Sequence, residues 1–168
     1  MVYPVIPLFL RGPLRAPAAA LGLIEGVSEA IVSVMKGWSG LRSDRTGRRS
    51  PFIQWGYALS AAGKPMLAAA QTWPFVLVGR AVDRYGKGIR TTARDAMIAD
   101  SVERRDLGRA FGFHRAMDTA GALVGVFVGL GLLALMPGRY REIFVIAAIP
   151  GAIAVLIAMK LRDVLPDA

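Results

Sequence analysis

Apolar residues in this chain fall into long blocks parted by short polar clusters, and that pattern leaves it few ways to fold. A bilayer-crossing helix needs about 20 mostly apolar residues, with roughly 17 to 25 as the working range. Five blocks reach that length: Ala18–Trp38, Pro51–Gln71, Trp73–Asp100, Phe111–Met136 and Ile143–Met159. The opening stretch Val2–Leu10 is apolar but too short to cross. It lacks a basic segment ahead of it and contains Pro4 and Pro7, so it is no signal peptide. It reads as the end of a truncated span, with Met1 an internal or misassigned start. The expected fold is therefore an all-α integral membrane bundle of five spans and the remnant of a sixth.

Composition supports this. The hydrophobic residues make up 54% of 168, and mean hydropathy is +0.45. Disorder requires the opposite balance. With 21 Lys and Arg against 12 Asp and Glu, the net charge is +9. A basic nucleic-acid binder would carry these cations on a polar surface, whereas here several lie inside apolar blocks. There is no Cys, and there is one His. No disulfide framework, thiolate metal site or paired-imidazole site can be built from these. No cofactor or metal is expected.

Cations in the connections orient the chain. Lys36, Arg42, Arg45, Arg48, Arg49, Arg104, Arg105, Arg109, Lys160 and Arg162 fall on one side. Arg11, Arg15, Arg139 and Arg141 fall on the other. The richer side is assigned to the cytoplasm of a plasma or inner membrane. Gly112, Gly121, Gly125 and Gly129 are read as helix-packing positions, since small residues let helices approach closely in lipid.

The block ending at Asp100 carries Arg80, Asp83, Arg84, Lys87, Arg90, Arg94 and Asp95. At about 100° per residue these share an arc of roughly 140° on a helix. The far face holds Val82, Tyr85, Ile89, Ala93 and Ala96. Charges in a span usually line a bundle interior or a wet cavity. A helix lying in the interface would show the same wheel, but the apolar run Trp73–Val78 and the alternating basic loops favour the cavity. Glu25 and Glu29 stand one turn apart and join this lining. Asp118 and His114 share one face and are candidates for proton coupling, with a structural pairing as the competing reading. Arg115 is read as a helix-end residue, and Lys64, beside Pro65, as a snorkelling or structurally paired one.

The run Gly40-Leu41-Arg42-Ser43-Asp44-Arg45-Thr46-Gly47-Arg48-Arg49 resembles the signature loop of the major facilitator superfamily. Gly40, Asp44, Arg45, Gly47, Arg48 and Arg49 match, while Arg42 and Ser43 replace the usual Leu and Ala. Arg80 and Asp100 resemble the Arg and terminal acid of that family's fourth helix. Gly112, Gly121 and Gly125 resemble its fifth-helix glycines, with Val126 where the antiporter motif has Pro. The resemblance implies a twelve-helix fold of which this chain is the N-terminal half. It further implies alternating access about a midplane site, a gating role for the signature loop, and a coupling ion, H+ or Na+. The cation excess points to a solute that is anionic or zwitterionic.

Other classes fit less well. Gly86-Lys87-Gly88 fails the phosphate-loop pattern, with Gly88 at the Ser/Thr position and Ala81 at the first Gly. A membrane-embedded transferase would need clustered acids, and these are dispersed. A non-transporting, interaction-only bundle would not need the buried charges, and a lone half-protein would expose its cavity-facing charges unless it met a partner chain.

Overall fold

A computed structural model describes residues 2–163. Among these there are six α-helices and no strand. They are α1 (Val5–Arg11), α2 (Ala18–Thr46), α3 (Ser50–Ala69), α4 (Trp73–Asp100), α5 (Leu107–Leu135) and α6 (Tyr140–Ala158). A single 3-10 turn, Arg104–Asp106, precedes α5. By length and composition alone, the helices of Ala18–Thr46, Arg104–Leu135 and Tyr140–Ala158 are long and apolar enough to cross a membrane. The charges of α4 and the small and polar residues of α3 keep those two below that standard.

Helix ends follow local chemistry. Pro51 and Pro74 sit in the first turns of α3 and α4, where a missing N–H costs nothing. α2 stops at Gly47, which adopts φ 64° and ψ 3°, the left-handed geometry that favours glycine. The signature run is thus mostly helical. Gly40 to Thr46 form the last turns of α2, and only Gly47, Arg48 and Arg49 make the turn. The helix continues two turns past the expected span end at Trp38, and Ser43 and Thr46 satisfy their hydroxyls on carbonyls of the preceding turn.

The bundle is apolar at one end and charged at the other. At the low-cation end, Val5, Ile6, Phe9 and Leu10 of α1 are fully buried against Ile24, Leu67, Val76, Ile143 and Phe144. Phe9 meets Phe144 edge-on at 5.3 Å. The short opening segment is thus a two-turn helix that closes the core. Elsewhere the protein is inverted relative to a water-soluble one. Phe113, Phe127, Leu135 and Leu156 are exposed, while Ser28, Ser39, Ser43 and Arg80 are buried. Such a surface suits hydrocarbon, where polar groups must be satisfied inside.

α4 is the centre of the bundle, held between α2 and α3, and is not a helix lying alone on a surface. Glycines allow this. A Cβ on Gly56 would fall 2.7 Å from the Gly86 carbonyl oxygen, and one on Gly63 would fall 2.9 Å from that of Gly79. On the α2 side, a Cβ on Gly88 would sit 2.6 Å from Met35 Cβ. Hydrogen bonds tie the same seams: Ser60 donates to the Asp83 carbonyl at 2.9 Å and Thr92 to that of Lys36 at 3.0 Å. Two of the fifth-helix glycines face open space in this six-helix unit. Nothing lies within 4 Å of a Cβ on Gly112 or Gly121. Gly129 alone is buried along α5, and Gly125 is partly covered. The close approaches among the described helices include those of Gly40 on α2, Gly56 and Gly63 on α3, and Gly86 and Gly88 on α4.

Candidate functional site

α4 presents its charged face to a cavity of about 500 Å³ inside the bundle. The arrangement follows from period: Arg80, Asp83, Arg84 and Arg90 recur on one side of α4 and line it. Tyr57, Ser60, Ala61 and Lys64 of α3 face them, again at helical spacing. α5 and α6 supply the other wall, including Gly121, Gly125, Val128 and Pro150.

The charges are partnered in a graded way. Arg80 is 3% exposed in its side chain, and its Nη2 donates to both Glu25 oxygens, at 2.6 and 2.9 Å. Its Nη1 lies 3.9 Å from Asp83. Asp83 is also 3.9 Å from Arg84 and 4.0 Å from Lys64. Arg84 in turn reaches Glu29 at 4.0 Å. Arg90 has no carboxylate within 4.0 Å among the described residues; its guanidinium stacks over the Tyr57 ring at 4.2 Å. The Nε atoms of Arg80, Arg84 and Arg90 are buried without hydrogen-bond partners.

Not every residue named from sequence reaches the cavity. Lys87 is half-buried on α4 but outside the lining. Arg94 turns to its neighbour Asp95 at 3.1 Å. Glu25 and Glu29 stand behind the arginines and neutralise them. His114 is half-buried and Asp118 exposed, both away from the cavity on α5. Lys64 belongs to the lining, and its amine also donates to the Ser60 carbonyl at 3.1 Å. Tyr57, Ser60, Ala61, Lys64 and Leu67 follow a helical stripe that sequence reading passed over. Their only charge sits beside a proline, and the rest looks like ordinary apolar span.

At the opposite end lies a cluster built from the signature run. Arg49 donates from Nη1 to Asp44 at 2.7 Å and from Nε to Asp100 at 2.6 Å. It thereby clasps the ends of α2 and α4 at the start of α3. Arg45 and Arg48 are exposed. Gly40 makes the close approach, with a Cβ there 2.9 Å from Thr92 Cγ2, and Gly47 makes the turn. Asp44 spends its oxygen on Arg49 and leaves the α3 N-terminus to another acceptor.

That N-terminus is capped by a residue absent from the sequence reading. Asp163 accepts from the Arg49 and Ser50 amides at 2.7 and 2.6 Å and from the Ser50 hydroxyl at 3.0 Å. Burial alone would raise the Asp163 carboxyl. The Ser50 and Arg49 hydrogen bonds and the Arg48 charge outweigh this and hold it below its ordinary value of 3.8. The stabilisation is therefore complete above the ordinary carboxylate range and is lost as pH falls through the depressed value. Asp163→Ala should remove a cap worth about 1 kcal/mol. Amide exchange at Ile53 and its neighbours, corrected for intrinsic rate, should speed up roughly fivefold in the variant. The native protein should show the same loosening in acid, and equal exchange in both proteins at neutral pH would discard the cap.

Comparison with known proteins gives a consistent set of relatives. The Major Facilitator Superfamily profile matches residues 1–168. An uncharacterized MFS-type transporter of Methanocaldococcus jannaschii is 31% identical over 156 residues, covering 93% of this chain and 39% of its own. A Mycobacterium bovis protein is 29% identical over 161 residues, covering 94% and 39%. The multidrug resistance protein MdtH of Cronobacter sakazakii is 29% identical over 134 residues, covering 79% and 33%. The chain thus spans about two-fifths or less of the length of these relatives.

Proposed function

The chain belongs to the Major Facilitator Superfamily, and from that premise we propose that it forms the N-terminal six-helix half of a secondary transporter that binds a small solute in the α4 cavity. It is an integral membrane protein, and the reading places it in a plasma or inner membrane. One observation carries the proposal: a charged, partly enclosed cavity stands inside a bundle whose outside is apolar. Charges of this kind are costly in a span and serve solute or ion pathways by default.

In this reading the two halves rock about the cavity, driven by an ion gradient. The Asp44–Arg49–Asp100 cluster latches the cytoplasmic ends of α2, α3 and α4 in one state. The exposed stretch of α5 with His114, Arg115 and Asp118 is the face a second half would cover. Asp118 is the proton-coupling candidate, and an Asp118→Asn protein that keeps the native pH dependence of uptake removes it. The name of the MdtH relative supports export as the direction.

The test needs no known solute. This chain contributes no cysteine, so Ala154→Cys in the full-length protein places one reporter thiol on the cavity wall. A membrane-impermeant thiol reagent should reach it from either side of the membrane in turn. An imposed ion gradient should shift the balance between sides. Reactivity from one side alone, whatever the gradient, would end the alternating-access reading.

A further inference from the structure

The cavity has two unlike walls. Tyr57, Lys64, Arg80, Asp83, Arg84 and Arg90 form one, on α3 and α4. Val124, Val128, Ala147, Pro150 and Ala154 form the other, on α5 and α6, without a polar side chain among them.

Charge on the polar wall is nearly balanced by its own ion pairs. Arg80 is matched by Glu25 at 2.6 Å, and Lys64 by Asp83 at 4.0 Å. Arg84 lies between Asp83 at 3.9 Å and Glu29 at 4.0 Å. Arg90 is the lining cation left without a carboxylate within 4.0 Å among the described residues. It rests on Tyr57 and keeps a buried Nε without an acceptor. Burying part of a guanidinium without an acceptor is costly, and a bound anion offsets that cost. A cationic solute has no comparable place. The one lining carboxylate, Asp83, is already approached by Lys64, Arg80 and Arg84. A neutral solute would leave Arg90 uncompensated.

We infer that the solute is an amphiphilic organic anion, with a single anionic head on Arg90 and an apolar body against α5 and α6. The inference rests on the cavity being the transport site. Its volume of about 500 Å³ lies within the roughly 300–1,000 Å³ of small-molecule sites, which leaves room for a ring or short chain beyond the head. Carboxylate, phosphate monoester and sulfonate heads share the required chemistry.

The test uses three probes on the full-length protein in proteoliposomes. p-Toluenesulfonate carries a permanent anion on an aromatic body. Methanesulfonate has the head without the body, and benzyltrimethylammonium has a similar body with the opposite charge. p-Toluenesulfonate should be taken up and should protect Ala154→Cys from labelling. Arg90→Gln should raise its half-saturation concentration roughly ten- to a hundredfold, the loss of one charge-assisted contact, and Arg90→Lys should raise it less. Preference for benzyltrimethylammonium, or indifference to Arg90→Gln, overturns the anion class while two-sided labelling keeps the transporter reading. Equal handling of methanesulfonate overturns the apolar body. Failure of all three probes both to move and to protect overturns the inference, and one-sided labelling then takes the transport reading with it.

Discussion

Arg80→Met should abolish transport and lower the melting temperature of the purified full-length protein more than neutralising any other cavity cation. Met keeps most of the volume and loses the charge. The side chain of Arg80 is 3% exposed and holds both oxygens of Glu25. Breaking a buried pair by removing one partner costs about 3–5 kcal/mol, because the remaining charge stays unpaired. Glu25 is 28% exposed, so it can partly rehydrate, and the lower end of that range is expected. The effect should not be read as the worth of the pair. Glu25→Gln with Arg80→Met should therefore recover much of the lost stability and none of the transport. Arg80→Lys should recover little, since a point charge cannot reproduce the contact with both oxygens. A melting temperature unchanged in Arg80→Met would show that Glu25 is satisfied by water and that the pair does not tie α2 to α4.

The second large effect is expected at a residue with no side chain. A Cβ at Gly86 would lie 2.5 Å from the Gly56 carbonyl oxygen and 2.7 Å from the Ser60 amide nitrogen. Both are backbone atoms of a packed helix, so neither can yield by rotating. Gly86→Ala should separate α3 from α4 and cost about 1–3 kcal/mol, the usual range for overpacking. Gly86→Leu should leave no correctly inserted protein. Gly22→Ala is the control. Nothing lies within 4 Å of its added methyl, and Ala is the better helix former by roughly 0.5–1 kcal/mol, so stability should hold or rise. Detergent-extracted yield and monodispersity on size exclusion separate these outcomes. If Gly86→Ala matches Gly22→Ala in both, the α3–α4 seam is looser than its geometry indicates.

Glycine also shows what a single helix cannot reveal. The regular run Gly121, Gly125 and Gly129 drew attention because its spacing is visible in one helix. The working glycines, Gly56 and Gly63 against Gly79 and Gly86, are seven apart within each helix and meaningful only across two. A stripe of small residues states that a close approach is possible. It does not say which helix approaches. The charged face of α4 was easier, since its sorting onto one arc is internal to the helix, and four of its members line the cavity.

The Asp44–Arg49–Asp100 cluster divides the same way. Gly47 as a helix stop and Arg49 as a cation beside it could be read locally. The cap by Asp163 could not, because it joins residues 114 positions apart and depends on where α6 delivers the chain.

The helices, their membrane setting, the family and the charged face of α4 were legible in the order of the residues. These follow from periodicity and composition, which act within a helix and along its length. Only the packing of helix on helix puts Lys64 in the cavity and Glu25 on Arg80, and leaves Arg90 as the lining cation with no carboxylate within 4.0 Å among the described residues. Ion pairing falls off over a few ångströms, so it depends on the rotation and register of one helix against another. That register is set here by glycines too small to announce themselves in the pattern of any single span.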